Sequence, residues 1–366
     1  MQLITKKLTH KTNDPHYLVG GCKFYSKLQA FKAGQTIAKT DNDIWDQVKF
    51  VTNFEILDNE PSLSVRDLYC YRAQQLRKEN EYIRIWASGG ADSTNVIHAF
   101  HEANVKPNEI ATYLQYPGSI HGSQNPEVDY GLRPLLNEIQ EWWPDTKIKF
   151  YDVLPEHYRW YSENALEHWM SYTQLHPAAF SWQIPYEIYP ELQEHSKKYQ
   201  TANIYSGPDF SIGCDENGWY YRHVDKPFND ALNAPYQEYF YTERDLLTKM
   251  VHMAKKYIIR TSDPEVTDLK GEWSIKSGGL PEMNFWLNNC AEFGRKKNKA
   301  GWTGLLDYGP KGSIRFLNMI SSIDGQNTLM NIMSYYKTLQ CKYPHWFHDN
   351  NVMNDWYGIR TPKSYL

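Results

Sequence analysis

The sequence lacks three features that would each indicate a particular class of protein. Its five cysteines are scattered and no two are spaced as Cys-x-x-Cys, which argues against a zinc knuckle or a dithiol redox pair. No apolar run approaches the length of a membrane span, and the N-terminus has no long apolar segment. The net charge of −4 argues against a strongly basic surface of the kind that wraps nucleic acid. These absences predict a soluble, cytoplasmic protein with reduced thiols.

The order of apolar runs and helical patterns predicts an α/β protein. Four strand-like runs, "YIRIWA", "EIATYLQY", "KIKFYDVL" and "ANIYSG", are separated by helical patterns between residues 82 and 213. This alternation favours a doubly wound, mostly parallel sheet of about five strands. We expect three regions: a mixed preamble with a helix that packs on the core at 1–80, the sheet domain at 81–230, and a mainly helical substrate region at 231–366.

The connection after the first of these strands carries the clearest chemical signal. It reads SGGADS from Ser88 to Ser93 and leads directly into a helical pattern. Adjacent Gly89 and Gly90 let backbone N–H groups approach an anion, and the helix that follows offers its positive N-terminal end. The two serine hydroxyls add donors. A carboxylate at Asp92 suits such a place if Mg²⁺ lies between it and phosphates. The stretch therefore predicts a site for a nucleotide phosphate chain.

Two common phosphate loops are excluded here. The Walker pattern requires GxxxxGK[ST], and no lysine follows these glycines. The dinucleotide-binding fingerprint requires GxGxxG, which is also absent. What remains is SGGxDS between a strand and a helix, which resembles the PP-loop of the ATP pyrophosphatase superfamily with its HUP-type fold. That resemblance implies an enzyme that cleaves ATP between the α and β phosphates and adenylates a substrate.

Within the superfamily, the chain is most similar to the synthetase domain of asparagine synthetase and β-lactam synthetase. Besides SGGADS, "ANIYSGPDFSIGCDENG" looks like the family's strand that ends in Ser-Gly and is followed by acids, and "FGRKKNKAGWTG" looks like its late Arg-x-Lys loop. The resemblance implies a ligase that forms AMP and pyrophosphate: it adenylates a carboxylate or amide-type substrate, and a C–N bond then forms. Its implied catalytic residues are Asp92, Asp209 and Lys297, and Asp92 and Asp209 would hold Mg²⁺.

The same resemblance implies a set of residues around ATP. The phosphates would lie on the PP-loop, the adenine against the end of the second strand, and a further contact would come from the Ser-Gly after the fourth strand. These ATP-binding residues are Ala87, Ser88, Gly89, Gly90, Asp92, Ser93, Leu114, Gln115, Tyr116 and Gly207.

Departures from the family pattern leave alternatives open. Pro208 and Asp209 stand where the family has Glu-Gly, so Asp215 and Glu216 are alternatives for the second metal ligand. The second residue is Gln2 rather than a cysteine, and we expect no glutaminase domain in the chain. Ammonia or an amine, or a separate glutaminase, would therefore supply nitrogen to a small-molecule substrate. This layout resembles stand-alone bacteriophage proteins, which implies the host cytoplasm.

Two other functions remain alternatives to the ligase. One is a PP-loop enzyme that modifies nucleosides or nucleic acid, although the chain lacks the reactive cysteine pair or zinc site typical of such enzymes. The other is an ATP- or AMP-binding module without catalysis, which the unusual Pro208 and Asp209 in the second motif favour. For single residues, the alternatives to a catalytic role are a helix cap for Asp92 and a solvated basic face for Lys297. The sequence is compatible with a homodimer.

Overall fold

The computed structural model describes residues 16–24, 27–39, 44–51, 56–89, 91–114, 132–152, 190–199, 201–205, 210–223, 237–261, 272–275, 338, 341–342 and 362–366. The helices within these ranges are α1 (Lys27–Ile37), α2 (Ile44–Gln47), α3 (Val65–Glu79), α4 (Ala91–Glu102), α5 (Arg133–Trp142), α6 (Pro190–Tyr199) and α7 (Arg244–Thr261). The strands are β1 (His16–Val19), β2 (Cys22–Phe24), β3 (Val48–Val51), β4 (Tyr82–Trp86), β5 (Glu109–Leu114), β6 (Lys147–Asp152), β7 (Thr201–Tyr205), β8 (Phe210–Asp215), β9 (Gly218–His223), β10 (Gln237–Tyr239), β11 (Glu272–Ile275) and β12 (Ser364–Tyr365).

The central sheet is parallel and has the order β10-β7-β4-β5-β6. Its strands β4, β5, β6 and β7 are the four that the apolar runs predict, and the short β10 pairs with the other side of β7. Ile85 of β4 pairs with Ile110 of β5 on one side and with Ile204 of β7 on the other. The predicted α/β class with a parallel sheet is therefore confirmed, whereas the doubly wound, HUP-type arrangement stays a prediction.

One face of this sheet is apolar. Ile83 and Ile85 of β4, and Ala87 just after it, alternate onto this face together with Ile110 and Ile204 of the neighbouring strands, and all are buried. They belong to one core cluster with the apolar residues of α3, α4, α5 and α7. Burial of this apolar surface is the main source of stability on this side of the sheet.

The opposite face carries a buried ion pair. Arg84 and Glu109 lie on neighbouring strands, and each side chain is 1% exposed. Arg84 Nε donates to Glu109 Oε1 at 2.7 Å, and a guanidinium Nη donates to Oε2 at 3.3 Å, so the pair is bidentate. A second Nη of Arg84 donates to Asn203 Oδ1 on β7 at 3.1 Å. This pair therefore links the three central strands.

Hydroxyl and amide groups complete the hydrogen bonding around the pair. The Tyr82 and Tyr151 hydroxyls donate to Glu109 at 2.9 and 3.1 Å, and Asn203 Nδ2 donates to Ser196 Oγ of α6 at 3.0 Å. Burial alone would raise the pKa of Glu109, but the hydrogen bonds and charge of Arg84, followed by the Tyr82 hydroxyl, lower that pKa below its usual value. Glu109 is thus ionised and bonded at neutral pH.

Two further sheets are antiparallel. Strands β2, β1 and β3 form one in that order, and its hairpin turns at Gly20 and Gly21, which both have positive φ. Strands β11, β8, β9 and β12 form the other, and β12 brings residues 364–365 against β9. The division of the chain at residues 80 and 230 stays a prediction. Among the described residues, no helix is long and apolar enough to cross a membrane.

Candidate functional site

The SGGADS stretch lies at the carboxyl edge of the parallel sheet. Strand β4, from which it leaves, lies between β7 and β5 in the middle of the sheet order. The Ala87 amide continues the pairing by donating to the Ala111 carbonyl of β5 at 2.8 Å, and α4 begins four residues later at Ala91. Ligands of open α/β sheets bind beyond the carboxyl ends of the strands, so this connection lies where such a ligand would be held.

The bend of the loop depends on Gly89. This residue has φ of 80°, a left-handed conformation that residues with a side chain rarely adopt. Gly89 is buried whereas Ser88 is exposed, so the turn presents Ser88 to solvent just before the helix. A glycine at this position is therefore explained by backbone geometry.

Ser93 stabilises the loop from inside. Ser93 is only 1% exposed, and its Oγ accepts a hydrogen bond from the Ser88 amide at 3.3 Å. The two serine hydroxyl oxygens lie 3.4 Å apart. The structure thus brings together Ser88, Gly89 and Ser93 as one compact turn, with Ser88 the member that faces outward.

Asp92 lies in the first turn of α4 and is half-buried. A carboxylate in this position interacts favourably with the positive end of the helix dipole. Its backbone carbonyl accepts a hydrogen bond from the hydroxyl of Tyr241 at 3.2 Å. Tyr241 follows β10 directly in a 3₁₀ turn, Phe240–Thr242, and its contact to the loop helix is not visible in the sequence because no motif marks it.

These groups fit the phosphates of a nucleotide bound with a divalent cation. Helix N-terminal amides and an exposed hydroxyl suit phosphate oxygens, and the carboxylate of Asp92 is a suitable oxygen ligand for Mg²⁺. Three or more His, Cys, Asp or Glu side chains do not cluster anywhere in the described part of the chain. Of the described residues, Asp92 would supply a carboxylate to the cation here, and phosphate oxygens and water would be among the other ligands, as is common for Mg²⁺.

An aromatic layer that no sequence motif marks lies beside the loop on the polar face of the sheet. The rings of Trp86 and Tyr205 are nearly parallel, with centroids 5.9 Å apart and an interplanar angle of 3°. The Tyr151 ring lies 5.3 Å from that of Trp86. All three residues lie in the carboxyl-terminal parts of strands β4, β6 and β7. An aromatic residue near the end of each of these strands is the sequence feature that could have indicated the layer.

Other predicted site residues are less fully placed. Leu114 is the last residue of β5, and its backbone lies at the same edge of the sheet as the loop. Six predicted residues lie outside the described ranges, namely Gly90, Gln115, Tyr116, Gly207, Asp209 and Lys297. The roles given to these residues stay predictions.

Asp215, the alternative metal ligand, is part of a different cluster. It ends β8, accepts a hydrogen bond from the Tyr365 hydroxyl at 3.1 Å, and pairs with Lys363. The hydrogen bond from Lys363 holds the pKa of Asp215 below its usual value. Asp215 lies at the opposite end of β8 from Phe210, five steps along the strand and roughly 17 Å away. The neighbouring Glu216 lies in the same hairpin turn and is exposed.

Comparisons with known proteins add little to this geometry. No protein-family model matches the chain, and no curated protein matches it. A search of solved structures gives an NMN synthetase from Francisella tularensis, with 13% sequence identity over 63% of this chain and 96% of that one, at a TM-score of 0.28. A TM-score this low establishes neither a common fold nor a common activity.

Proposed function

We propose that the chain is an ATP-dependent ligase of the PP-loop type, which forms AMP and pyrophosphate in an asparagine-synthetase-like reaction. The observation that carries this proposal is the position of SGGADS. It connects the middle strand of a parallel sheet to the N-terminus of α4, and Gly89 has the positive φ that the bend requires. The choice of the bond that is cleaved, between the α and β phosphates of ATP, rests on the resemblance of this stretch to the PP-loop.

The first proposed step is adenylation. An oxygen of a substrate carboxylate attacks the α-phosphorus of ATP, a new P–O bond forms, and the bond from the α-phosphorus to the α–β bridging oxygen breaks. Pyrophosphate leaves with that electron pair. The amides at the start of α4 and the exposed Ser88 hydroxyl would bind the departing phosphates, whose growing charge the helix end stabilises. Mg²⁺, when bound, would neutralise charge on the same oxygens.

The second proposed step is amide formation. Ammonia or an amine attacks the acyl carbon, the C–N bond forms, and the C–O bond to AMP breaks as the nitrogen loses its proton. The nitrogen donor, supplied free or by a separate glutaminase, and a cytoplasmic location are parts of this proposal. We further propose that Asp209 completes the Mg²⁺ site with Asp92 and that Lys297 reaches the reacting phosphate.

The test is a product analysis with labelled ATP. Purified protein is incubated with ATP, Mg²⁺ and ammonium, together with separate pools of carboxylic acids, nucleosides or nucleic acid. The ligase predicts AMP and pyrophosphate in equal amounts, dependent on a carboxylate. Formation of ADP and phosphate would contradict it. Turnover only with nucleosides or nucleic acid would indicate a modification enzyme, and ATP binding without turnover in any pool would indicate a binding module.

Two matched variants identify the site of turnover. Asp92→Asn removes the carboxylate at the start of α4, and we expect turnover to fall at least about 100-fold because electrostatic stabilisation of the transition state is lost. Asp245→Asn removes the first-turn acid of α7, which pairs with Arg244 at 2.9 Å, and should leave turnover unchanged. Equal activities of the two variants would place the reaction elsewhere.

A further inference from the structure

Tyr241, which is not part of the SGGADS stretch, contacts the first turn of α4, the helix that follows the loop. The residue is fully buried, and its hydroxyl donates to the carbonyl oxygen of Asp92 at 3.2 Å. We propose that Tyr241 is a positioning residue that fixes the first turn of α4, and with it the phosphate-binding amides and the Asp92 side chain. This inference rests on the proposed function, because it assigns Tyr241 a role in the same site.

The hydroxyl is well placed for this role because its own segment is tied to α3. Arg72 Nε of α3 donates to the Phe240 carbonyl at 3.3 Å, and an Nη of Arg72 pairs with Glu238 at 3.1 Å. Arg72 is 6% exposed and its bond to the Phe240 carbonyl is buried, whereas the Glu238 side chain is 40% exposed. The segment that carries Tyr241 is therefore anchored before it reaches the loop helix.

An aromatic cluster fixes the ring itself. The ring of Tyr241 lies 5.6 Å from that of Tyr69 and 5.3 Å from that of Phe240, both in edge-on geometry. Both neighbours are fully buried. Because the ring has little room to reorient in such a close-packed cluster, its hydroxyl holds a fixed position relative to α3.

The bond has a specific consequence at Asp92. The carbonyl of a first-turn residue also accepts the helix bond from the amide four positions later, here Val96. A second donor from a fixed neighbour limits rotation of that peptide group about the helix axis. Ser93 holds the turn to Ser88 from inside and Tyr241 holds it to α3 from outside, so both sides of the first turn are anchored.

The experiment compares two hydroxyl deletions at buried tyrosines. Tyr241→Phe removes the hydroxyl that contacts Asp92, while Tyr17→Phe removes that of a tyrosine that is 1% exposed and lies on β1 in a different sheet, and it serves as the matched control. Thermal unfolding measures the structural cost of each change. Amide hydrogen exchange at residues 93–96 of the free protein, and titration with α,β-methylene-ATP and Mg²⁺, measure the order and the binding of the loop.

We expect similar losses of thermal stability but different effects at the loop. Tyr241→Phe should speed exchange at residues 93–96 and weaken nucleotide binding by about 3- to 10-fold, the effect of one hydrogen bond, whereas Tyr17→Phe should change binding by less than about 2-fold. Equal effects of the two variants on exchange and binding would overturn the positioning role. If the unmodified protein binds no nucleotide, the proposed function fails, and the exchange comparison alone still decides whether Tyr241 holds the turn.

Discussion

The two faces of the central sheet use the same strands in different ways. On one face Ile83, Ile85 and Ile204 are packed in a continuous apolar cluster with helices. On the other face, Arg84 and Glu109 form a bidentate ion pair, and each of the two side chains is 1% exposed. Apolar packing is non-directional and stabilises in proportion to area, whereas a buried ion pair requires complete bonding and fixed geometry. The apolar face thus supplies stability, and the polar face fixes the relative positions of neighbouring strands.

The largest loss of stability is expected when the ion pair on the polar face is broken. Glu109→Ala leaves the Arg84 charge buried without its carboxylate, and we expect a loss of about 4 kcal/mol in the free energy of unfolding. Urea denaturation monitored by circular dichroism measures it. The double variant Arg84→Met/Glu109→Leu removes both charges and should recover most of the loss. A double variant as unstable as the single one would mean that the network stabilises by more than charge pairing.

The next effect concerns the apolar face of the same strand. Ile85 is 1% exposed, and Ile85→Ala should lower the free energy of unfolding by about 3 kcal/mol through lost burial and a residual cavity. Urea denaturation measures this change as well. No second substitution of a neighbouring apolar residue should restore stability in the way that removal of both charges does on the polar face. Such a rescue would contradict the distinction between the faces.

A pH titration sharpens the comparison further. Burial and then His101 lower the pKa of His98, on α4, to about 4, so the folded protein holds this ring neutral. Because the unfolded chain protonates it near 6.5, stability is complete above that pH and should fall by roughly 2 kcal/mol between pH 6.5 and 4. His98→Gln should flatten this interval. Glu109, whose pKa is lowered, should lose its contribution only below about pH 4.5.

The smallest effect tests a single bond of the polar network. Tyr151→Phe deletes one donor to Glu109, at 3.1 Å, while the bidentate contact to Arg84 remains. We expect a loss of about 1 kcal/mol in the free energy of unfolding. Tyr82→Phe, which deletes the donor at 2.9 Å from a half-buried ring, is the matched comparison and should cost the same or less. A loss of several kcal/mol from either change would show strong cooperativity within the network.

Strand and helix positions were the most predictable part of the fold. Apolar runs located β4, β5, β6 and β7, and the repeat of Leu246, Met250 and Ala254 located α7. Glycines and an acid between a strand and a helix located the loop. These signals are local, because each depends on residues within one element or one connection. The β1–β2 hairpin was missed although Gly20 and Gly21 mark its turn.

Contacts between distant segments were not predictable. Arg84 and Glu109 each look like a charged residue within or beside an apolar run, and only the register of β4 with β5 makes them partners. Tyr241 is 149 residues from Asp92 in sequence and carries no motif. Asp215 is an alternative metal ligand in the sequence because it follows a Ser-Gly motif, and that role stays a prediction. Its pairing with Lys363, 148 residues away, is marked by no motif.

The order of the strands bears on how the protein forms during its synthesis. Arg84 meets Glu109 after only 25 further residues have been made, but its bond to Asn203 must wait for 119. At ribosomal speeds of about 5–20 residues per second, that interval is on the order of 10 seconds. For that time one side of β4 lacks its neighbour β7, and the nascent chain exposes an incomplete strand edge to chaperones and other chains.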